Sequence, residues 1–402
     1  MDALPFDQAR DIIFKRVREH LAPSTVESVP LAEAQGRVLA AAVTADRGYP
    51  PFNRSARDGF AVRAADVAQV PTRLKLIGET RAGEPSRFSL QPGEAVEIMT
   101  GAPGPAGADA VVMVEYSRRE GDDVILEQSI AAGRNLIPSG SEAARGETVL
   151  TPGVTLDYPE IAAAAMVGAA QVEVYRRPTV AVVSTGDEIV ELDRAPEPFQ
   201  IRNSNAWSLA AQIRRRGGEP RVLPIAPDRF EETRERIAEG LEADMLLLSG
   251  GVSMGKYDLV ERALADLGAE FFFTRVRIQP GQPLVFGRAA KKPIFGLPGN
   301  PISTMVTFEV FARAALDLLA GRPDSPLPFV EARLGEDFRH KPVLTRFLPA
   351  RIEGDYGEAL LYPVKWQGSG DLVSLARASC FLVAPEGRES WSSGEPMAVL
   401  PR

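Results

Sequence analysis

Cysteine and histidine are nearly missing from this 402-residue chain: Cys380 stands alone, and His20 and His340 are the only histidines. A single thiol excludes an intramolecular disulfide, a zinc ribbon and a redox pair. The histidines lie far apart in sequence, in neither a metal-ligand nor a triad spacing, so each is expected at the surface or at a cap. Cys380 opens the apolar run Cys-Phe-Leu-Val, the pattern of a packed strand. Nucleophilic catalysis by Ser–His or Cys–His is thereby set aside. A metal, if used, should be a hard cation on carboxylates and phosphate, Mg²⁺ first.

Long hydrophobic runs are absent too. Ile161–Ala170 is the longest, is interrupted by Gly168 and is too short to span a bilayer. Met1-Asp2-Ala3-Leu4-Pro5 has no basic region leading into an apolar core, so a soluble, cytoplasmic protein is expected, with no membrane partner. There is no excess of positive charge: the net charge of −8 argues against wholesale nucleic-acid binding but leaves room for an anionic substrate. Walker A and Gly-x-Gly-x-x-Gly motifs are missing, which disfavours a standard P-loop or dinucleotide enzyme. The length suggests two to four domains at roughly 150 residues each.

What is present is organised around Ala243–Asp258. Met245–Leu248 is a short apolar run of the kind buried on both faces of a parallel sheet. Ser249-Gly250-Gly251 follows, where glycines permit positive φ and let amides point at phosphates. A helical pattern starts after Asp258. Alone, this stretch reads equally as a tight βα turn or a ligand cradle.

Residues 6–19 carry apolar residues at helical spacing, and Leu31–Ala42 repeats the signal. Gly48–Phe60 is a shaped Pro/Gly loop, in which Asp58 before Gly59 serves either a turn or a binding loop. Short strands from about 60 to 150 predict a β-rich insert, with Met99–Pro103 and Gly140–Glu142 as candidate loop sites. Residues 158–170 read as a helix with Asp157 as N-cap. Strands at Thr179–Val183, Arg221–Ile225, Met245–Leu248 and Pro293–Phe295 then alternate with helices at Asn205–Arg215, Glu231–Leu241 and Ile302–Ala320. Phe271–Ile278 and Leu284–Phe286 add strands. This predicts a doubly wound parallel α/β sheet. A proline-rich linker, Gly321–Pro328, precedes a β-like tail.

Three strand ends of that sheet carry polar loops: Ser184-Thr185-Gly186-Asp187-Glu188, Ser249–Gly251 with Asp258, and Pro298-Gly299-Asn300-Pro301. Ligands bind outside the carboxyl ends of such strands, so one shared crevice is expected. Asp187, Glu188, Asp228 and Asp258 come with these loops and could hold Mg²⁺ jointly with substrate phosphates. Singly, Asp187 and Asp228 read equally as helix caps. The residues alone indicate a phosphate-binding α/β enzyme of phosphoryl or nucleotidyl chemistry, substrate unspecified.

Six collinear motifs extend this reading: Pro50-Pro51-Phe52 through Asp58–Val62, Ile98–Pro103, Gly107–Val111, Ser184–Glu188, Ser249–Ser253 and Gly296–Pro301. Together they resemble the molybdopterin molybdenumtransferase family, MoeA and the E domain of gephyrin. The resemblance implies a homodimer of four-part subunits. The parts are an N-terminal helical and linker region (1–45 with 147–177), a β-rich insert (46–146), an α/β molybdopterin-binding unit (178–324) and a C-terminal β-barrel (325–402). It implies insertion of molybdate into adenylylated molybdopterin with Mg²⁺-dependent release of AMP, a molybdopterin adenylyltransferase being a possible partner. Asp187, Glu188, Asp228 and Asp258 take the catalytic positions, with Glu188, Asp228 and Asp258 on the metal. Ser184, Thr185, Gly186, Ser249, Gly250, Gly251, Ser253, Pro298, Gly299, Asn300 and Pro301 take the substrate cradle. Asp58, Thr100, Glu142 and Ser369 are further site residues, some acting across the dimer interface.

The chain departs from the family pattern in places. Gln279 and Gln282 replace lysines expected to face molybdate, Pro349 replaces an arginine, and Glu142 replaces an aspartate. Arg275, Arg277 and Arg351 are candidates to restore the lost charge. A non-catalytic member that binds molybdopterin intermediates or scaffolds partners is the alternative reading. A nucleotide-pyrophosphate hydrolase is a third, which leaves the insert and tail unexplained.

Overall fold

The computed structural model describes residues 2–20, 25–251, 259–323 and 326–402. Met245–Ser249 is buried at every position because it lies inside a six-stranded sheet. The order is Glu219–Val222, Thr179–Ser184, Met245–Ser249, Lys292–Leu297, Pro283–Ala289 and Glu270–Arg275. The first four strands are parallel; Pro283–Ala289 runs antiparallel to them, and the edge strand Glu270–Arg275 pairs antiparallel with it and so points the same way as the first four. Side chains alternate across it. Val180, Val182, Met245 and Leu247 face a core shared with helices α1 (Phe6–Arg18) and α3 (Ser204–Arg215). Ala181, Val183, Leu246 and Leu248 face α4 (Phe230–Gly240) and α5 (Leu259–Asp266).

Between α1 and α3, α2 (Tyr158–Met166) starts at a capping box of Asp157 and Glu160, and ends short of residue 170 at Gly168, where φ is +79°. The helix expected over Ile302–Ala320 is interrupted. α6 (Pro301–Thr307) passes through one π-turn, Phe308–Ala312, into α7 (Arg313–Leu319). The Val310 carbonyl accepts from the Arg10 guanidinium of α1.

The helix expected over Leu31–Ala42 does not form; only Leu31–Glu33 makes a 3₁₀ turn. The amides of Leu39 and Ala40 pair instead with the carbonyls of Val154 (2.9 Å) and Glu173 (2.8 Å), so tertiary pairing overrides the local period. Ala34 and Leu39 pack there with Val172 and Val174. The insert is a six-stranded sheet in the order Ala110–Met113, Gly59–Val62, Glu94–Ile98, Thr72–Thr80, Asp123–Leu126, Ser117–Glu120.

In the tail, Thr345–Glu353, Leu360–Pro363, Val330–Leu334, Pro396–Pro401 and Cys380–Ala384 pair in that order, and the last closes on the first: a five-stranded barrel. Cys380 is buried in it, and burial raises its thiol pKa. His340 is a correction. It is buried against Phe338 and Trp391, with Nε2 2.7 Å from the Arg388 carbonyl, and is neither surface nor cap. His20 is exposed, as expected.

Candidate functional site

Parallel register puts Ser184 beside Ser249, and Ser249 beside Leu297, so the three polar loops leave the sheet at one level. The loops then bond to one another. Thr185 N donates to the Ser249 carbonyl at 3.1 Å, and Gly250 N to that of Leu297 at 3.3 Å. Gly186 N donates to the Ala226 carbonyl at 3.2 Å, which draws in the segment bearing Asp228.

The glycines are spatial requirements. Gly250 and Gly251 have φ of +90° and +62°, and a Cβ on Gly251 would lie 2.7 Å from Thr185 Oγ1. A Cβ on Gly250 would lie 2.9 Å from the Thr185 carbonyl oxygen, whereas one on Gly299 would meet only the Gly250 Cα, at an ordinary 3.7 Å. Thr185 is buried, yet its hydroxyl has no partner among the described residues. A buried hydroxyl without a partner beside a glycine turn suits an oxygen-rich ligand.

Two asparagines that sequence reasoning missed hold the cradle together. Asn203, the N-cap of α3, accepts from the Ser184 hydroxyl at 3.0 Å and from Ala206 N at 3.2 Å. Asn205 donates to the Ser249 hydroxyl at 2.9 Å and to the Gly299 carbonyl at 2.7 Å, and its own Oδ1 is buried without a partner. The available signal was the polar run Asn203-Ser204-Asn205 opening a helix, which reads only as a cap.

Asp187, Glu188 and Asp228 are exposed at the rim. Asp187 Oδ1 accepts from Asp228 N at 3.2 Å, and the Glu188 carboxylate folds over Gly186. Neither aspartate caps a helix: the N-cap position of α4 is Arg229, which makes no side-chain cap bond, and α3 is capped by Asn203. Among the described residues no three His, Cys, Asp or Glu side chains converge closely enough to hold a metal. Asp258 and Ser253 lie outside the described residues.

On the opposite side, Pro298 and Asn300 offer their carbonyls to the Thr304 hydroxyl at 2.5 and 3.1 Å. Pro301 begins α6 and Asn300 is its N-cap by position, but the exposed Asn300 amide makes no cap bond. Ser369 joins them, its carbonyl accepting from Ile302 N at 2.9 Å.

The insert residues stay apart. Asp58 accepts from Thr100 N at 2.6 Å and from its hydroxyl at 2.9 Å, and these bonds hold its carboxyl below the usual aspartate range. Glu142 pairs with Arg54 at 2.7 Å. Among the described residues no hydrogen bond or ion pair joins residues 46–146 to residues 178–402.

Of the candidate cations, Arg277 pairs with Glu386 and Arg351 with Glu353. Arg275 ends its strand in register with Pro283, at the mouth of the loop bearing Gln279 and Gln282. Arg346, not foreseen, is in register with Gln279, and its Nε is buried without a partner.

The sheet and its crevice define an α/β protein with a glycine-lined cradle at the carboxyl ends of its parallel strands, where such folds place their ligands. Three family descriptions match the chain: MoeA N-terminal region (domain I and II) over residues 4–168, probable molybdopterin binding domain over 181–318, and MoeA C-terminal region (domain IV) over 331–401. A molybdopterin molybdenumtransferase of Nostoc sp. is 36% identical over 98% of this chain and 94% of its own length. One of Bacillus subtilis is 35% identical over 99% and 94%. A crystal structure of the molybdopterin biosynthesis moeA protein from Pyrococcus horikoshii OT3 superposes with a TM-score of 0.80, at 28% identity and with both chains fully covered. The chain belongs to the MoeA family of molybdopterin molybdenumtransferases. No helix among the described residues is long and apolar enough to cross a membrane.

Proposed function

We propose that the protein inserts molybdate into adenylylated molybdopterin and releases AMP. The observation that carries this is the cradle: two positive-φ glycines, an unpartnered Thr185 hydroxyl and the Asn205 clamp, flanked by Asp187, Glu188 and Asp228. Backbone amides and the Thr185 hydroxyl bind and orient the phosphates, while the unpartnered Asn205 Oδ1 accepts from the ligand. The carboxylates are hard oxygen donors, which suits Mg²⁺. Glu188 and Asp228, with Asp258, would hold the ion, which supplies charge neutralisation for cleavage of the phosphoanhydride.

The isolation of Asp58, Thr100 and Glu142 from the α/β unit supports a homodimer in which the insert of one copy completes the crevice of the other. A molybdopterin adenylyltransferase as supplier of the substrate, and a cytoplasmic location, go with this reading. Arg275 and Arg346 are the side chains best placed to face the oxyanion where Gln279 and Gln282 cannot. Those two glutamines are the one feature favouring a non-catalytic binding protein.

The test is AMP release from adenylylated molybdopterin with Mg²⁺, compared with Asp228→Ala. Release lost in the variant supports the transferase. Binding without release in either protein leaves the binding reading.

A further inference from the structure

Three elements rise from the cradle and enclose a groove beside it. α3 leaves the cradle at Asn205, α6 leaves it at Pro301, and the chain beyond Ser369 enters the short helix α8 (Leu372–Ala376). The groove between them has a volume of ≈ 260 Å³. Its apolar walls are Ala211 of α3, Met305 of α6, Leu375 of α8 and Phe381 of the barrel. That volume is near the lower end of the roughly 300–1,000 Å³ of small-molecule sites, room for one ring system rather than a whole nucleotide.

The polar groups of the groove are Ser208, Gln212, Arg215, Glu309 and Arg402. The Ser208 hydroxyl donates to the Asn205 carbonyl at 3.0 Å, and Arg402 to the Leu375 carbonyl at 2.7 Å. Glu309 sits on the π-turn, 5% exposed, and accepts from Gln212 Nε2 at 3.0 Å and Arg215 at 2.7 Å on one oxygen, Oε1. Its Oε2 stands 3.8 Å from Arg313, beyond hydrogen-bond reach. Arg215 and Glu309 offset each other's charge, so the groove selects by hydrogen-bond pattern more than by net charge. Gln212 Nε2 also donates to the Met305 carbonyl at 3.2 Å. Both of its partners are acceptors only, which fixes the amide's orientation. Gln212 Oε1 is thereby left buried, with no partner among the described residues. A buried acceptor without a partner calls for a donor from a ligand.

We propose that this groove receives the pterin ring of the substrate, which rests on the transferase reading above. The ring's amino group and the neighbouring ring N–H are adjacent donors for Gln212 Oε1 and Glu309 Oε2, and its carbonyl accepts from Arg215. Adenine offers only its amino group as a donor on that edge. Asn205, Ser208 and Gln212 follow one face of α3, and Gln212 lies two turns, roughly 10 Å, beyond Asn205. Phosphates held in the cradle therefore leave the ring to lie along the groove between α3 and α6.

Titration of the full chain with 6-hydroxymethylpterin, followed by the probe's fluorescence and compared with titration by AMP, tests this. The wild-type chain should bind the pterin. Gln212→Met keeps the side-chain length but removes the acceptor, and should weaken pterin binding about tenfold with AMP affinity unchanged. Ala211→Trp, at an exposed position, should fill the groove and abolish pterin binding, which decides the matter even if Gln212→Met fails to fold. No pterin binding to the wild type, equal pterin affinity in all three proteins, or AMP weakened as much as the pterin would overturn the assignment. Pterin binding that follows both variants, in a protein that inserts no molybdate, would sustain the groove and sink the transferase. Molybdate insertion with pterin affinity indifferent to both variants would do the reverse.

Discussion

Asn205 donates to the Ser249 hydroxyl across 2.9 Å, tying the first turn of α3 to the end of the central strand. The same amide holds the Gly299 carbonyl at 2.7 Å, so one side chain spaces the two halves of the cradle. Asn205→Ala strands both partners in a buried site, at a cost of about 1–3 kcal/mol. Chemical denaturation should register that loss, and titration with adenylylated molybdopterin should show affinity falling about tenfold. A stable variant with unchanged affinity would contradict the clamp.

Much of this arrangement was legible beforehand. The run Met245–Leu248, closed by paired glycines, announced a buried parallel strand ending in a glycine turn, and apolar periodicity placed the flanking helices. What escaped depends on tertiary partners. Asn203 and Asn205 look like ordinary cap residues until Ser184, Ser249 and Gly299 are brought beside them. The π-turn at Phe308–Ala312 adds a residue to a helix whose composition still reads as continuous. His340 was misjudged because its packing partner Trp391 lies on a distant strand. Arg346 could not be ranked against Arg275, Arg277 and Arg351 until the barrel strand was seen beside Gln279.

Arg346 leads to a second prediction. If its free Nε faces the oxyanion, Arg346→Gln should raise the molybdate concentration for half-maximal turnover about tenfold, the worth of one charge-assisted hydrogen bond. Arg277→Gln, which removes only an exposed pair with Glu386, should leave that concentration unchanged. Equal effects in both variants would remove Arg346 from the site.

Asp58 titrates below the ordinary aspartate range because Thr100 N donates to it first and the Thr100 hydroxyl second. A folded pKa below the unfolded one means these bonds stabilise the fold above the unfolded pKa, and that contribution is lost as pH falls through the folded pKa. Thr100→Val removes only the hydroxyl, so the Asp58 pKa should rise part of the way toward about 3.9. Carboxyl-carbon NMR of Asp58 reads this directly; an unmoved titration would contradict the assignment.

The detachment of the insert from the α/β unit yields a fourth expectation. Asp58→Ala and Asp228→Ala homodimers should each be inactive. Mixed by refolding, they should recover roughly a quarter of wild-type activity, because half the dimers are mixed and each mixed dimer carries one intact site. No recovery would mean that each chain builds its site alone.

The central claim is tested most directly by following AMP release and molybdenum incorporation together. The purified protein is given adenylylated molybdopterin and Mg²⁺, with and without molybdate, and the product is passed to a molybdenum-free acceptor enzyme. Molybdate-stimulated release, about one AMP per molybdenum transferred and absent from Asp228→Ala, is the predicted result. AMP release that ignores molybdate and never activates the acceptor would contradict the account and leave a nucleotide-cleaving or pterin-binding protein.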